Sequence, residues 1–118
     1  MADVIDRAAL DELVAMTGGD LAFLAELIDS FSTDAAGQLA ELEAAVDSGD
    51  DAAMMRPAHS LKSNAASFGA HQLAELCRAV EHDARQGSVV DADTRVAAIR
   101  DELVAVEAAL QAERERLP

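Results

Sequence analysis

Residues 20–46 read DLAFLAELIDSFSTDAAGQLAELEAAV, and their spacing decides the fold class. Leu24, Leu27, Ile28, Phe31, Ala35, Gln38, Leu39, Leu42 and Val46 recur at intervals of three and four, which on a helix makes one continuous stripe. The stripe predicts a helix of about seven turns, opened by Asp20 as its N-cap. Gly37 interrupts it at a cost of about 1 kcal/mol relative to Ala, either as a tolerated bend or as a place where another backbone comes close.

Working outward, Gly18-Gly19, Ser48-Gly49-Asp50, Phe68-Gly69 and Gly87-Ser88 break the pattern and leave further helical segments on both sides. Residues 6–16 carry Leu10, Leu13 and Val14, enough for a short helix with one apolar side, a cap rather than a bundle member. The third segment starts at Asp50 and Asp51, carboxylates suited to a helix N-terminus, and ends before Gly69. Pro57 within it predicts a kink or a delayed start of the regular helix. Leu73, Leu76, Cys77, Val80 and Ala84 form the inner face of the fourth segment; Ala92, Val96, Ile99, Leu103, Val106 and Leu110 form that of the fifth. Short connections between these helices predict an all-α, up-down-up-down antiparallel four-helix bundle with a short N-terminal capping helix, in one domain spanning 1–118.

Composition agrees and excludes several functions. Of 118 residues 51% are hydrophobic, but 27 are Ala and 32 are Val, Ile, Leu, Met or Phe, which favours helix and predicts a thin, small-residue core. Twenty-three acidic against nine basic residues give a net charge of -14, which repels a phosphate backbone, and Trp and Tyr, the better base-stacking platforms, are missing. Nucleic acid is therefore not an expected partner. No apolar run approaches the roughly 20 residues of a membrane span, and no leader pattern opens the chain, so a cytoplasmic protein with no membrane contact is expected. The lone Cys77 reads as a small core residue, and no CxxC pair exists to hold zinc.

The third segment does not read as scaffold alone. At about 100° per residue, Met54, Ala58, Leu61, Ala65 and Phe68 share an inward face and His59 points outward. Around it on the solvent side lie Ala52, Met55, Arg56, Lys62, Ser63 and Ala66. A neutral imidazole is a good nucleophile near pH 7. Helical side chains lean toward the N-terminus, which brings Lys62 toward an anion held on that ring and leaves Ser63 short enough to keep it open. His71 and His82 read as surface residues. Metal binding would need a ligand cluster, and the Glu-x-x-His pairs of di-iron bundles do not occur.

Ala58-His59-Ser60-Leu61-Lys62-Ser63 followed by Gly69 resembles the HxLKGxxxxxG motif of the histidine-containing phosphotransfer family, with Ser63 in place of the usual Gly. Gly18-Gly19-Asp20 with Phe23-Leu24, Glu26-Leu27-Ile28 and Phe31 is similar to the family's second-helix opening. Leu73, Leu76-Cys77 and Glu81 are similar to its fourth helix, so the likeness runs from about residue 6 to 113. It implies that His59 accepts a phosphoryl group, that Lys62 supports its charge and that Ser63 is the small residue beside the ring. Glu81 stands where some members have a Gln that assists the histidine, and a carboxylate there is expected to repel a phosphoryl group. Arg85, a turn further on, is a candidate for longer-range charge support.

The implied function is that of a monomeric phosphorelay intermediate, a carrier and not an autonomous enzyme. Its partners would be receiver domains of response regulators and of a hybrid histidine kinase, docking over Ala52, Met55, Arg56 and Ala66. No cofactor is expected on this chain, because Mg²⁺ belongs to the receiver. The alternative is a helical adaptor that docks receivers without transferring phosphate, against which the pairing of His59 with Lys62 argues.

Overall fold

The structure, a computed structural model, describes residues 4–117 and, among them, contains helices and no strand. In chain order these are α1 (Arg7–Met16), α2 (Leu21–Ser48), a 3₁₀ turn (Asp51–Met54), α3 (Met55–Ser67), α4 (His71–Arg85) and α5 (Ala92–Glu115). Asp20 caps α2 as expected, accepting the Phe23 N–H at 3.0 Å, and Gly49 closes the helix with φ 68°. Both glycines of the α1–α2 turn also take positive φ.

Helix length decides how the bundle closes. The 28 residues of α2 span about 42 Å at 1.5 Å per residue, close to the 45 Å long axis of the molecule. α3 and α4, with 13 and 15 residues, are about half as long. α2, α3, α4 and α5 form a closed ring of neighbours, with α3 and α4 the most extensively packed pair. α1 packs on α2 and on α3, with Leu13 lining one hollow together with Leu27 and Phe31 of α2 and Leu10 buried in the common core. The short first helix is thus a cap, as its single apolar side predicts.

Ile28, Leu42, Met54, Leu61, Leu73, Ile99 and Leu110 are the largest wholly buried side chains. Six alanines (Ala35, Ala45, Ala58, Ala65, Ala70 and Ala84) join them, a minority of the 27 in the chain. The core is therefore less alanine-dependent than composition suggests: most alanines serve helix propensity on partly or fully exposed faces. Leu27, Leu39, Val46, Leu76 and Ala92, expected inward, are only half-buried and pack against the edge of this core. Gly37 lies in open space on the exposed side of α2, which excludes a close backbone approach and leaves a tolerated interruption.

Two features shape the start and end of α3. Asp50 accepts the Ala53 N–H and opens the 3₁₀ turn, so that Pro57 falls in the first turn of the regular helix, where its missing N–H forfeits no helical bond. Pro57 delays the helix rather than kinking it. At the other end Gly69, at φ 73°, lets the Ala70 N–H reach back to the Ala65 carbonyl at 2.9 Å. The same glycine receives α1: its carbonyl accepts the Asp6 N–H at 2.9 Å, and a Cβ there would stand 2.8 Å from Ala9 Cβ and 2.9 Å from the Asp6 carbonyl.

Candidate functional site

The inward face of α3 is the expected one: Met54, Ala58, Leu61, Ala65 and Phe68 are all buried, and Phe68 stacks obliquely on Phe31 at 5.2 Å. With that face fixed, His59 projects between α3 and α4 with 57% of its side chain exposed. Ala52, Met55, Arg56, Ser63 and Ala66 are exposed along the same surface. Ala52 belongs to the 3₁₀ turn that precedes α3.

The residue that organises the site comes from α4. Glu81 has 6% of its side chain exposed, and its Oε2 lies 2.8 Å from His59 Nδ1 and accepts a 2.8 Å hydrogen bond from Arg85 Nη2. Lys62 Nζ lies 2.6 Å from Oε1. This close ion pair compensates the charge of the buried Oε1. The Lys62 contact holds the carboxyl below the usual carboxylate range; burial pushes the other way, and the His59 bond adds to the lowering. Glu81 is therefore ionised at neutral pH and, being acceptor-only, requires that the His59 nitrogen facing it carry the proton. Nδ1 is then the N–H, and Nε2 keeps its lone pair on the solvent side.

This corrects the sequence reading of Glu81 as a repulsive neighbour. With Lys62 and Arg85 on the same carboxylate, two positive charges outnumber one negative, and the local balance facing an incoming anion is positive. The signal was present in the sequence: Glu81 is four residues from Cys77 and one from Val80, inside the buried stripe of α4. A carboxylate at such a position needs a partner. Lys62 also differs from expectation, its ammonium being turned down onto Glu81 rather than held over the imidazole. Arg85 is in direct contact with Glu81, closer than longer-range support implied.

One shallow hollow is lined by the ring itself, and a second adjoins it through Glu81 and Arg85. The first, of about 240 Å³, is lined by Met55, Arg56, His59 and Arg85; the second, of about 280 Å³, by Lys62, Arg78, Glu81, His82 and Arg85. Both are open depressions rather than enclosed substrate pockets, suited to a protein surface that presses over His59. The profile of the Hpt domain family matches residues 26–109. The chain belongs to the Hpt domain family. Histidine-containing phosphotransfer protein B from Pseudomonas aeruginosa PAO1 superposes with a TM-score of 0.90 at 29% identity, covering 100% of both chains. Comparison with curated protein sequences gives no match. Family and fold together make this a histidine phosphotransfer protein of a phosphorelay, a carrier and not a kinase, whose class of partner is the receiver domain.

The remaining residues of this Hpt protein fall into place around that activity. His71 and His82 are exposed, and His71 Nε2 lies 3.0 Å from Asp6 Oδ2 at the edge of α1. Cys77 is wholly buried, one turn below Glu81; burial first, and then the Glu81 charge, pushes its thiol up to about 12. It is the inert core residue its position predicts. No helix among the described residues is long and apolar enough to cross a membrane.

Proposed function

We propose that His59 is the phosphoacceptor of this Hpt protein, attacking through Nε2. The observation that carries this is the pairing of a 57% exposed imidazole with a buried carboxylate at Nδ1, found in His59. His71 also meets a carboxylate, but that of exposed Asp6, which fixes the ring far less firmly. A receiver brings an aspartyl phosphate over the face; the Nε2 lone pair forms the P–N bond as the P–O bond to the aspartate breaks, and the carboxylate leaves with the electron pair. Return of the phosphoryl group to a second receiver reverses these events.

Lys62 is placed to share its charge between Glu81 and the arriving phosphoryl oxygens by a side-chain rotation, and Arg85 holds Glu81 while it does so. Ser63 keeps the approach open. Ala52 and Ala66 are small for the same steric reason, while Met55 and Arg56 supply an adaptable apolar contact and a charged one to receivers of response regulators and a hybrid kinase. The divalent metal such receivers use is supplied from their side, and this chain acts as a monomer.

Incubation with a phosphorylated receiver, followed by acid-labile phosphate mapping, tests the assignment. Wild type should carry phosphate on His59, and His59→Gln should carry none while retaining its helicity. Phosphate on His71 or His82 with none on His59 would refute it.

A further inference from the structure

Building on the reading of His59 as acceptor, we propose that Glu81 holds the phosphorylated ring in its Nδ1-protonated form, making this chain a short-lived, transfer-ready carrier rather than a phosphoryl store. Glu81 Oε2 lies 2.8 Å from Nδ1 and has no proton to give. A phosphorylated imidazole without its Nδ1 proton would turn a lone pair onto the carboxylate's lone pairs at that distance. With Glu81 at 6% side-chain exposure, little room is left for water to relieve the clash. The ring therefore keeps the proton, and its positive charge is matched by the carboxylate.

The protonation state governs what leaves. When Nε2 is phosphorylated and Nδ1 keeps its proton, breakage of the P–N bond returns the electron pair to Nε2 and releases a neutral imidazole. Without that proton, the same breakage would expel an imidazolate anion, a much poorer leaving group. An aspartate carboxylate of a receiver or a water molecule takes the phosphoryl group, so Glu81 promotes onward transfer and hydrolysis together. A glutamine at this position has no negative charge and can turn its NH₂ toward a bare Nδ1, stabilising the unprotonated, long-lived form.

Other charges facing the ring oppose this protonation and are outweighed by contact. Arg56 and Lys62 approach from α3 and Arg85 from α4, with Arg78 and His82 lining the adjoining hollow. Lys62 and Arg85 are both bound to Glu81, and Arg78 to Glu75, whereas the Glu81–Nδ1 contact is direct. Charges of the neighbouring elements are engaged elsewhere: Asp51 with the Val89 N–H, Arg95 of α5 with Asp83, and Arg100 of α5 with Glu43 of α2.

The test uses the full chain carrying His71→Gln and His82→Gln, phosphorylated on His59 with phosphoramidate and followed by ¹⁵N and ³¹P NMR. Nδ1 of the phosphorylated ring should titrate lower in Glu81→Gln by at least about one pH unit. Phosphate loss at pH 8 should then slow by about tenfold, the change in protonated fraction that one unit represents. Arg85→Gln, which removes an exposed cation from the same carboxylate, should shift the titration the opposite way, and it carries the test if Glu81→Gln does not fold. Equal titrations and lifetimes in folded variants, or faster loss in Glu81→Gln, overturn the proposal while leaving His59 as acceptor. No uptake on His59 removes both readings.

Discussion

Substitution of Gly69 by Ala should be the most damaging single-methyl change in the chain, and the structure divides its cost into two parts. Gly69 takes φ 73°, where an L-residue is strained by about 1–2 kcal/mol. Its new Cβ would also meet Ala9 Cβ at 2.8 Å, the Asp6 carbonyl at 2.9 Å and Asp6 Cβ at 3.0 Å. None of the three is the end of a flexible side chain, so the start of α1 must move bodily, an overpacking cost of about 1–3 kcal/mol. The sum is about 2–5 kcal/mol; at roughly 4 °C per kcal/mol for a domain of this size it lowers the melting temperature by about 8–20 °C. Gly49 and Gly87 supply controls, because they share positive φ (68° and 89°) but would place a Cβ in open space. Their alanine variants should show the strain alone, while Gly37→Ala, helical and unobstructed, should gain about 1 kcal/mol. Thermal unfolding followed by circular dichroism at 222 nm measures all four. If Gly69→Ala costs no more than Gly49→Ala, the close seating of α1 on the end of α3 contributes nothing to stability.

Around the site, Ser63→Arg and Ala66→Arg should block transfer from a phosphorylated receiver despite the added positive charge, and near wild-type rates for both would show that small residues there have no docking role. Met55→Ala should weaken receiver affinity in a binding titration and leave the melting temperature unchanged. Lys62→Ala should slow transfer by about one to two orders of magnitude, the loss of a charge-assisted hydrogen bond of about 1.5–3 kcal/mol. The same variant should also unfold more easily, because buried Glu81 loses a partner; a transfer defect with unaltered stability would show that the Lys62–Glu81 contact is not maintained. On acidification, Glu81 should act as a stabilising group whose contribution is complete above the ordinary carboxylate pKa and lost as pH falls through its lowered folded-state value. Glu107, raised by burial, works in the opposite direction, favouring the fold as it protonates. With His59→Gln as the common background, so that the imidazole does not titrate, the stability gap that Glu81→Gln opens in urea should therefore change only below about pH 5, and a change centred near neutrality would assign it to another group.

Periodicity made most of the architecture legible because each helix buries one face, and the 3–4 spacing of that face survives in an alanine-rich sequence. The boundaries were legible for a different reason: Asp20, Asp50, Gly49 and Gly69 each perform a backbone task that few residue types can. Rotation about α3 was enough to place His59 outward. It was not enough to place Lys62, whose direction depends on a residue from another helix. Glu81 is repulsive only when its charge is set against a phosphoryl group alone; its position among Cys77, Val80 and Ala84 puts it inside, where a carboxylate needs cations of its own. Val89 escaped the helical pattern altogether, being buried from a loop whose N–H is held by Asp51 across the bundle at 2.9 Å.

The distribution of cations shows why a chain of net charge -14 can receive a phosphoryl group at all. Arg7, Arg95, Arg100, Arg114 and Arg116 are each paired with a carboxylate on other faces of the bundle. The other four of the nine basic residues, Arg56, Lys62, Arg78 and Arg85, line the two hollows of the His59 site, where Lys62 and Arg85 share the single carboxylate of Glu81 and Arg78 is paired with Glu75. At physiological ionic strength exposed charges farther apart than about 8 Å are largely screened, so an approaching phosphoryl group responds to this local set and not to the total. Glu81 is part of the same economy of charge. By holding Lys62 and Arg85 against α4 it keeps the two cations converged at the ring without an external anion, and by accepting the Nδ1 proton it commits Nε2 to the open side. The acidic remainder of the surface then repels phosphate-rich competitors everywhere except at the one face where the imidazole is exposed.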